Sequence, residues 1–177
     1  NPAGLFLEER SNDASGSVVC ACLEGNRPIL VEVQALVAKT PYGMPRRTAV
    51  GFDYNRVTML LAILERRLGM DFGAYDAYVN VVGGMRVTEP AADLAVAAAL
   101  VSSYRNRPIP HGVLVMGEVG LTGEVRRIGS PERRIKDAMN LGFKRFVLPM
   151  GKLSLDEPCN GIVQVKTLEE ALDKVFA

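Results

Sequence analysis

Tryptophan is absent from this chain, histidine occurs once, and cysteine occurs three times. The single imidazole, His111, lies between Pro110 and Gly112, which reads as a loop position. It has no second histidine with which to form a metal pair. Cys20, Cys22 and Cys159 make an odd set whose spacing does not match a four-ligand zinc site. In a strand, Cys20 and Cys22 would point to the same face, and small buried thiols in a reducing cytoplasm are the simplest reading. Phosphate-loop spacing, G-x-x-x-x-G-K-[ST], is also missing; Met150-Gly151-Lys152-Leu153 lacks the leading glycine and the hydroxyl. No apolar run approaches the roughly 18–20 residues that span a bilayer. No basic-then-apolar signal segment opens the chain. There is no internal repeat and no low-complexity tract. The first residues, Asn1-Pro2, suggest a fragment of something longer.

What is present is 177 residues with 48% hydrophobic and 23% charged content, ordinary for one globular domain with a substantial core. The formal net charge of +1 is unevenly spread. Residues 1–39 and 152–177 each carry 3 basic and 5 acidic side chains, or −2 apiece, leaving 15 basic and 10 acidic between them, or +5. Arginine outnumbers lysine 15 to 6, a bias toward bidentate anion contacts and interfaces.

Residues 1–15 read as a lead-in, with Leu5-Phe6-Leu7 as a docking plug, and 16–177 as the domain proper. Ser17–Leu23 and Ile29–Val37 are β-branched runs around the turn-like Glu24-Gly25-Asn26-Arg27-Pro28 and predict a hairpin. Val31, Val33, Ala35 and Val37 form the apolar face of its second strand. A Pro/Gly loop, Thr40–Pro45, precedes a third strand expected over Arg46–Phe52. Asp53 or Asn55 caps a helix that ends at Gly69, with Val57, Leu60, Leu61, Leu64 and Leu68 on one face. Ala77–Val82 is a strand leading to Gly83-Gly84. Val113–Gly117, Phe146–Pro149 and Ile162–Val165 read as further strands, and Thr167 caps the last helix. Strands and helices mix without strict alternation, which predicts an α+β fold with a mixed sheet and packed helices.

One stretch organises the rest. Gly83-Gly84-Met85-Arg86-Val87-Thr88-Glu89-Pro90-Ala91-Ala92-Asp93 enters an alanine-rich run ending near Tyr104. Pro90 suits a first helical position, Thr88 or Glu89 a cap, and Asp93 a dipole partner. Met116-Gly117-Glu118-Val119-Gly120-Leu121-Thr122-Gly123-Glu124-Val125-Arg126-Arg127-Ile128-Gly129 then leads into a helix start over Ser130–Ala138. On this helix Glu132 and Lys136 are spaced for an i,i+4 pair.

In order and spacing these segments resemble the proteolytic domain of Lon-type proteases. There a Pro-Ser-Ala-Gly helix start carries the nucleophile, and the helix after an Ile-Gly-Gly segment carries a catalytic lysine. Here the two dyad positions are Ala91 and Glu132, so the resemblance implies a Lon-like two-layer scaffold without catalytic groups. With Phe6-Leu7-Glu8-Glu9-Arg10 and Gly51-Phe52-Asp53-Tyr54-Asn55-Arg56-Val57, the whole chain resembles the C-terminal domain of the RadA (Sms) family of bacterial DNA-repair ATPases. That resemblance implies a cytoplasmic, homo-hexameric ring acting in recombination and branch migration on single-stranded or branched DNA, with a recombinase as partner. ATP, Mg and Zn would belong to upstream domains, and this fragment would hold no cofactor or metal.

A phosphate-contacting surface is expected at Arg46, Arg47, Arg56, Arg66 and Arg67, which lie on one continuous loop–strand–helix stretch. Arg56 and Arg67 are eleven apart and share nearly one helical face. Tyr42 and Tyr54 flank the region, placed either to stack on bases or simply to pack. Arg126-Arg127 and Arg133-Arg134 are two further arginine pairs. The alternative reading is a peptidase or peptide-binding domain using the Lon-type cleft.

Overall fold

The computed structural model describes Arg10 and residues 13–177. The proposed plug at Leu5-Phe6-Leu7, with most of the lead-in, lies outside the described residues.

The β-branched runs pair as expected. β1 (Ser17–Glu24) and β2 (Arg27–Lys39) form an antiparallel hairpin in which Cys20 faces Val31 and Glu24 faces Arg27. β4 (Tyr75–Val81) adds antiparallel to β2, and the short β3 (Arg47–Val50) adds parallel to β4 as one edge. On the other side of β1 lie β5 (Val113–Val115), β8 (Arg145–Pro149) and β9 (Ile162–Val165), all parallel. The sheet order is therefore β3-β4-β2-β1-β5-β8-β9, a mixed seven-stranded sheet. β6 (Glu118–Val119) and β7 (Val125–Arg126) form a separate small hairpin from the glycine-punctuated segment.

Among the described residues, four helices pack on this framework. α1 (Tyr54–Leu68) is capped by Asp53, whose carboxylate accepts the Asn55 N–H, and ends at Gly69 with φ 69°. Its buried face is Val57, Leu60, Leu61, Ile63 and Leu64, with Leu68 at the rim. Gly51 turns β3 into this helix at φ 81°, and a Cβ there would come within 2.5 Å of the Met85 carbonyl oxygen. That close approach requires glycine. α2 (Asp93–Arg105) is buried without a break from Asp93 to Ser102, because its alanines let β1 and β2 come close on several sides. At its end Ser102 Oγ accepts the Gly16 N–H at 2.8 Å and Ser103 Oγ accepts the Val37 N–H at 2.8 Å, fastening the helix to the hairpin. α3 (Pro131–Asn140) and α4 (Leu168–Phe176) complete the set, the latter capped by Thr167 as its sequence predicts.

Three local expectations need correction. The third strand spans only Arg47–Val50, since Gly51 turns the chain away. Pro90 opens a 3-10 turn, Pro90–Ala92, and the helix proper begins at Asp93; neither Thr88 nor Glu89 caps it. Glu132 and Lys136 do not pair; the Lys136 ammonium lies 3.9 Å from Asp156, with both groups exposed.

In the β6–β7 turn, Thr122 Oγ1 donates to Glu124 at 2.5 Å and Arg126 donates to it at 3.0 Å. The Thr122 hydroxyl first, then the residue's own backbone N–H and the Arg126 guanidinium, hold the Glu124 carboxyl down at about 2 against an ordinary value of 4.5. Its contribution to the folded turn is present above the ordinary carboxylate range and fades as pH falls through about 2. A carboxyl-carbon NMR titration is expected to show Glu124 still ionised at a pH where a glutamate in a model peptide is half protonated. Thr122→Val moves its midpoint upward.

Candidate nucleic-acid interface and the two motif-bearing helix starts

The two motif-bearing helix starts meet in space. Ala91 is 3% exposed, and its carbonyl accepts the Gly117 N–H at 2.8 Å. This bond ties the first motif to the strand that opens the second. Glu132 is half-buried at the start of α3, where two cavities of about 310 and 260 Å³ adjoin it. Neither dyad position contributes a hydroxyl or an amine.

What joins the two segments is a different pair of residues. Glu89, two residues before Ala91, and Arg134, two residues after Glu132, form a bidentate ion pair, with Arg134 Nη2 to Glu89 Oε2 at 3.0 Å. Arg134 is 1% exposed and also donates to the Gly129 carbonyl at 2.8 Å and the Ala21 carbonyl at 2.9 Å. Glu89 Oε1 accepts the Leu23 N–H at 2.8 Å. Beside this pair, the Cys20 and Cys22 sulfurs lie 3.9 Å apart on one strand face, both unoxidised. The Cys22 thiol and burial push Cys20 well above the usual thiol range, which keeps it protonated and unreactive.

The predicted arginine stretch divides into two groups. β3 begins where α1 ends, so Arg46 and Arg66-Arg67 come to one end of the molecule. Arg47 secures that end from within. It donates to the Phe72 carbonyl at 2.9 Å and to the Tyr75 carbonyl, gripping the loop that follows Gly69. Phe72 and Tyr75 in turn pack on Tyr104, with ring centroids 5.0 and 5.3 Å away. Arg46 and Arg66 are exposed and make no ion pair among the described residues. The Arg46 backbone N–H donates to Asp76 at 2.7 Å, the chief reason the Asp76 carboxyl sits below its usual range. Tyr42 and Met44 stand 89% and 88% exposed in the adjoining loop.

Arg56 is remote from this end, in the first turn of α1. It forms a bidentate pair with Asp93, with Nε to Oδ1 at 2.7 Å; Asp93 is fully buried and also accepts the Val119 N–H at 3.1 Å. Burial raises the Asp93 pKa, and Arg56 with the Val119 N–H opposes that rise. Arg56 and Arg67 do share a helical face, but it is the face turned toward the β6–β7 hairpin. The Arg67 side chain lies over Gly123, where an added Cβ would meet its Cγ at 3.2 Å. Tyr54 is half exposed near Arg56, at the far end from Tyr42.

Three ion pairs escape a reading by sequence: Glu89–Arg134, Arg56–Asp93, and Arg10 with Glu32. In the last, Arg10 donates to Ser17 Oγ at 3.1 Å and Ser17 donates to Glu32 at 2.7 Å, all three residues buried. The only signal for them was a charge at an otherwise apolar helix start or on a strand.

A family model described as subunit ChlI of Mg-chelatase matches residues 33–152, a span that contains both dyad positions and all five predicted arginines. The chain is 48% identical over 177 residues to DNA repair protein RadA of Halalkalibacterium halodurans, covering 98% of this chain and 38% of that protein. To DNA repair protein RadA of Pseudomonas aeruginosa it is 49% identical, covering 99% and 39%. To that of Streptococcus pneumoniae it is 44% identical, covering 100% and 43%. The chain thus spans about two fifths of the length of the curated relatives it matches. With the family model matching well over half of its residues, the chain belongs to the family described as subunit ChlI of Mg-chelatase.

Proposed function

We propose that this chain is the non-proteolytic, Lon-type domain of a cytoplasmic DNA-repair and recombination ATPase. On this reading it assembles as a ring of identical subunits, a homo-hexamer, and helps to hold single-stranded or branched DNA during branch migration. The observation that carries the reading is 44–49% identity, over nearly the whole chain, to proteins named DNA repair protein RadA. ATP, Mg and Zn, and the contact with a recombinase, are assigned to the larger protein of which this chain would be one part.

The end of the molecule bearing Arg46, Arg66 and Arg67 supports the DNA-holding role. Exposed guanidiniums that have no carboxylate partner among the described residues are available to phosphate oxygens, and Tyr42 beside them offers a stacking surface. Arg47 and Arg56 act there indirectly, by fixing the loop and the helix that carry the others. The peptidase alternative gains nothing from the former dyad, because Ala91 has no group to attack a carbonyl and Glu132 is no amine base.

Sedimentation velocity of the chain, with and without a labelled single-stranded oligonucleotide, tests the proposal. Species heavier than the monomer, carrying the label, are the expected result. In the same preparation, unfolded protein and a fluorogenic peptide should show no turnover above blank. A strict monomer that leaves the label unbound, or peptide turnover, would overturn the proposal.

A further inference from the structure

One part of the large sheet is open to solvent on a single face. Successive side chains of a strand alternate between faces, and strand pairing carries each face across the sheet. The registers of β2 with β4 and of β4 with β3 set three rows on the open face. Gln34 lies beside Asn80 and Val50, Leu36 beside Tyr78 and Thr48, and Ala38 beside Asp76. Arg46 ends this last row. It is one residue short of β3, and its carbonyl accepts the Ala77 N–H at 2.9 Å, so the alternation extends to it. Ala35, Ala77 and Val79, on the other face, are buried in the core. On the open face Leu36 is 59% and Val50 54% exposed. Arg46, Thr48 and Asn80 are exposed around Tyr78, which is half-buried.

The charge on these rows is of one sign. Asp76 is buried and already accepts the Arg46 N–H at 2.7 Å and the Thr40 hydroxyl at 2.9 Å. Glu32, next along β2 on the same face, is buried too, held by Ser17 at 2.7 Å with Arg10 beside it. Arg46 is left as the exposed charge of the three rows. The Thr48 and Tyr78 hydroxyls and the Asn80 amide make no hydrogen bond among the described residues. A single nucleic-acid strand matches this surface group by group. Its phosphate suits Arg46, its flat base faces suit Tyr78, Leu36 and Val50, and its base edges suit Asn80. Arg46 stands two residues along the strand from the Tyr78 row, about 7 Å, a distance one nucleotide spans from phosphate to base.

We propose that this open face of β2, β4 and β3 is a platform for the unpaired bases of a single strand whose phosphates meet Arg46. The proposal rests on the DNA-holding reading above and deepens it. Phosphate contact alone does not tell one strand from two, whereas an aromatic on an open sheet face takes bases that are free to stack.

The test compares a fluorescein-labelled oligothymidylate with a strand of equal length that lacks its bases. Both are titrated by anisotropy into the wild-type chain and into Tyr78→Ala and Leu36→Ser variants, with circular dichroism to check folding. The wild type is expected to bind the thymidylate at least about tenfold more tightly than the abasic strand. Tyr78→Ala should remove about tenfold of thymidylate affinity and Leu36→Ser a smaller part, each leaving abasic affinity and the salt slope unchanged. Ultraviolet crosslinking of an iodouracil-substituted strand to the wild type, mapped by mass spectrometry, should mark Tyr78 and needs no variant. Equal affinity for the two strands, with ordinary salt dependence, overturns the platform and leaves the DNA-holding reading standing. Binding of neither strand overturns both. Crosslinks confined to residues away from the three rows overturn the platform. So does a variant that breaks up the assembly and weakens both strands alike, which would make this face a contact between copies of the chain.

Discussion

Replacing Arg134 with methionine is expected to cost the domain about 3–5 kcal/mol of stability, the range for breaking a buried ion pair from one side. Methionine fills a similar volume, so little of this loss would come from a cavity. Glu89 would be left with its charge and without a counterion, while the Ala21 and Gly129 carbonyls would lose their donor. Against a typical total of about 5–15 kcal/mol, such a loss leaves a domain near its folding threshold. Urea unfolding at neutral pH measures it. Glu89→Leu combined with Arg134→Met should recover part of the loss, because it removes the stranded charge. Recovery should be incomplete, because the Leu23 N–H would still lack its acceptor. A cost below about 1 kcal/mol for the single variant would show the pair to be solvated and replaceable.

The second large effect concerns nucleic acid. Arg46→Ala with Arg66→Ala is expected to weaken single-stranded DNA binding by about two orders of magnitude. This takes one charge-assisted contact, worth about 1.4 kcal/mol, per arginine and additive behaviour for separate sites. Both side chains are exposed and make no ion pair among the described residues, so their loss should leave the unfolding midpoint almost unchanged. Arg47→Ala should behave in the opposite way. It releases the Phe72 and Tyr75 carbonyls, lowers stability, and reduces DNA affinity only through disorder of the loop. An equal loss of charge on α3, Arg133→Ala with Lys136→Ala, is the control and should matter less. Arg133 is already engaged with the Asn26 carbonyl, and Lys136 lies near Asp156.

The contrast between Arg46 and Arg47 marks what a sequence can reveal. Alternation in Val31–Val37, the apolar face of Val57–Leu64, Asp53 as a cap and Gly69 as a stop are local signals. Each appears where expected, because backbone propensity and side-chain periodicity act over a few residues. Cys20 and Cys22 on one strand face follow from the same alternation. The site depends on partners distant in sequence. Nothing near Arg56 announces Asp93, 37 positions away, and nothing near Arg134 announces Glu89, 45 positions away. A charge at the start of an alanine helix reads locally as a cap or dipole partner. In the folded chain both such charges instead meet arginines, because the alanines bring that helix start deep into the core. Two of the five arginines expected to contact phosphate are occupied internally, Arg56 by Asp93 and Arg47 by the Phe72 and Tyr75 carbonyls, while Arg67 lies along Gly123 and stays exposed.

The measurement that bears most directly on the account is the salt dependence of single-stranded DNA binding by the wild-type chain and by the Arg46→Ala, Arg66→Ala variant. Phosphate contact predicts that log affinity falls linearly with log salt, by about 0.7 for each phosphate neutralised. Removing two such contacts should flatten that slope by about 1–2 units, alike for oligonucleotides of different sequence, while sedimentation still shows the wild-type assembly. An unchanged slope and affinity in a variant that still assembles would contradict the assignment of this end of the molecule to DNA.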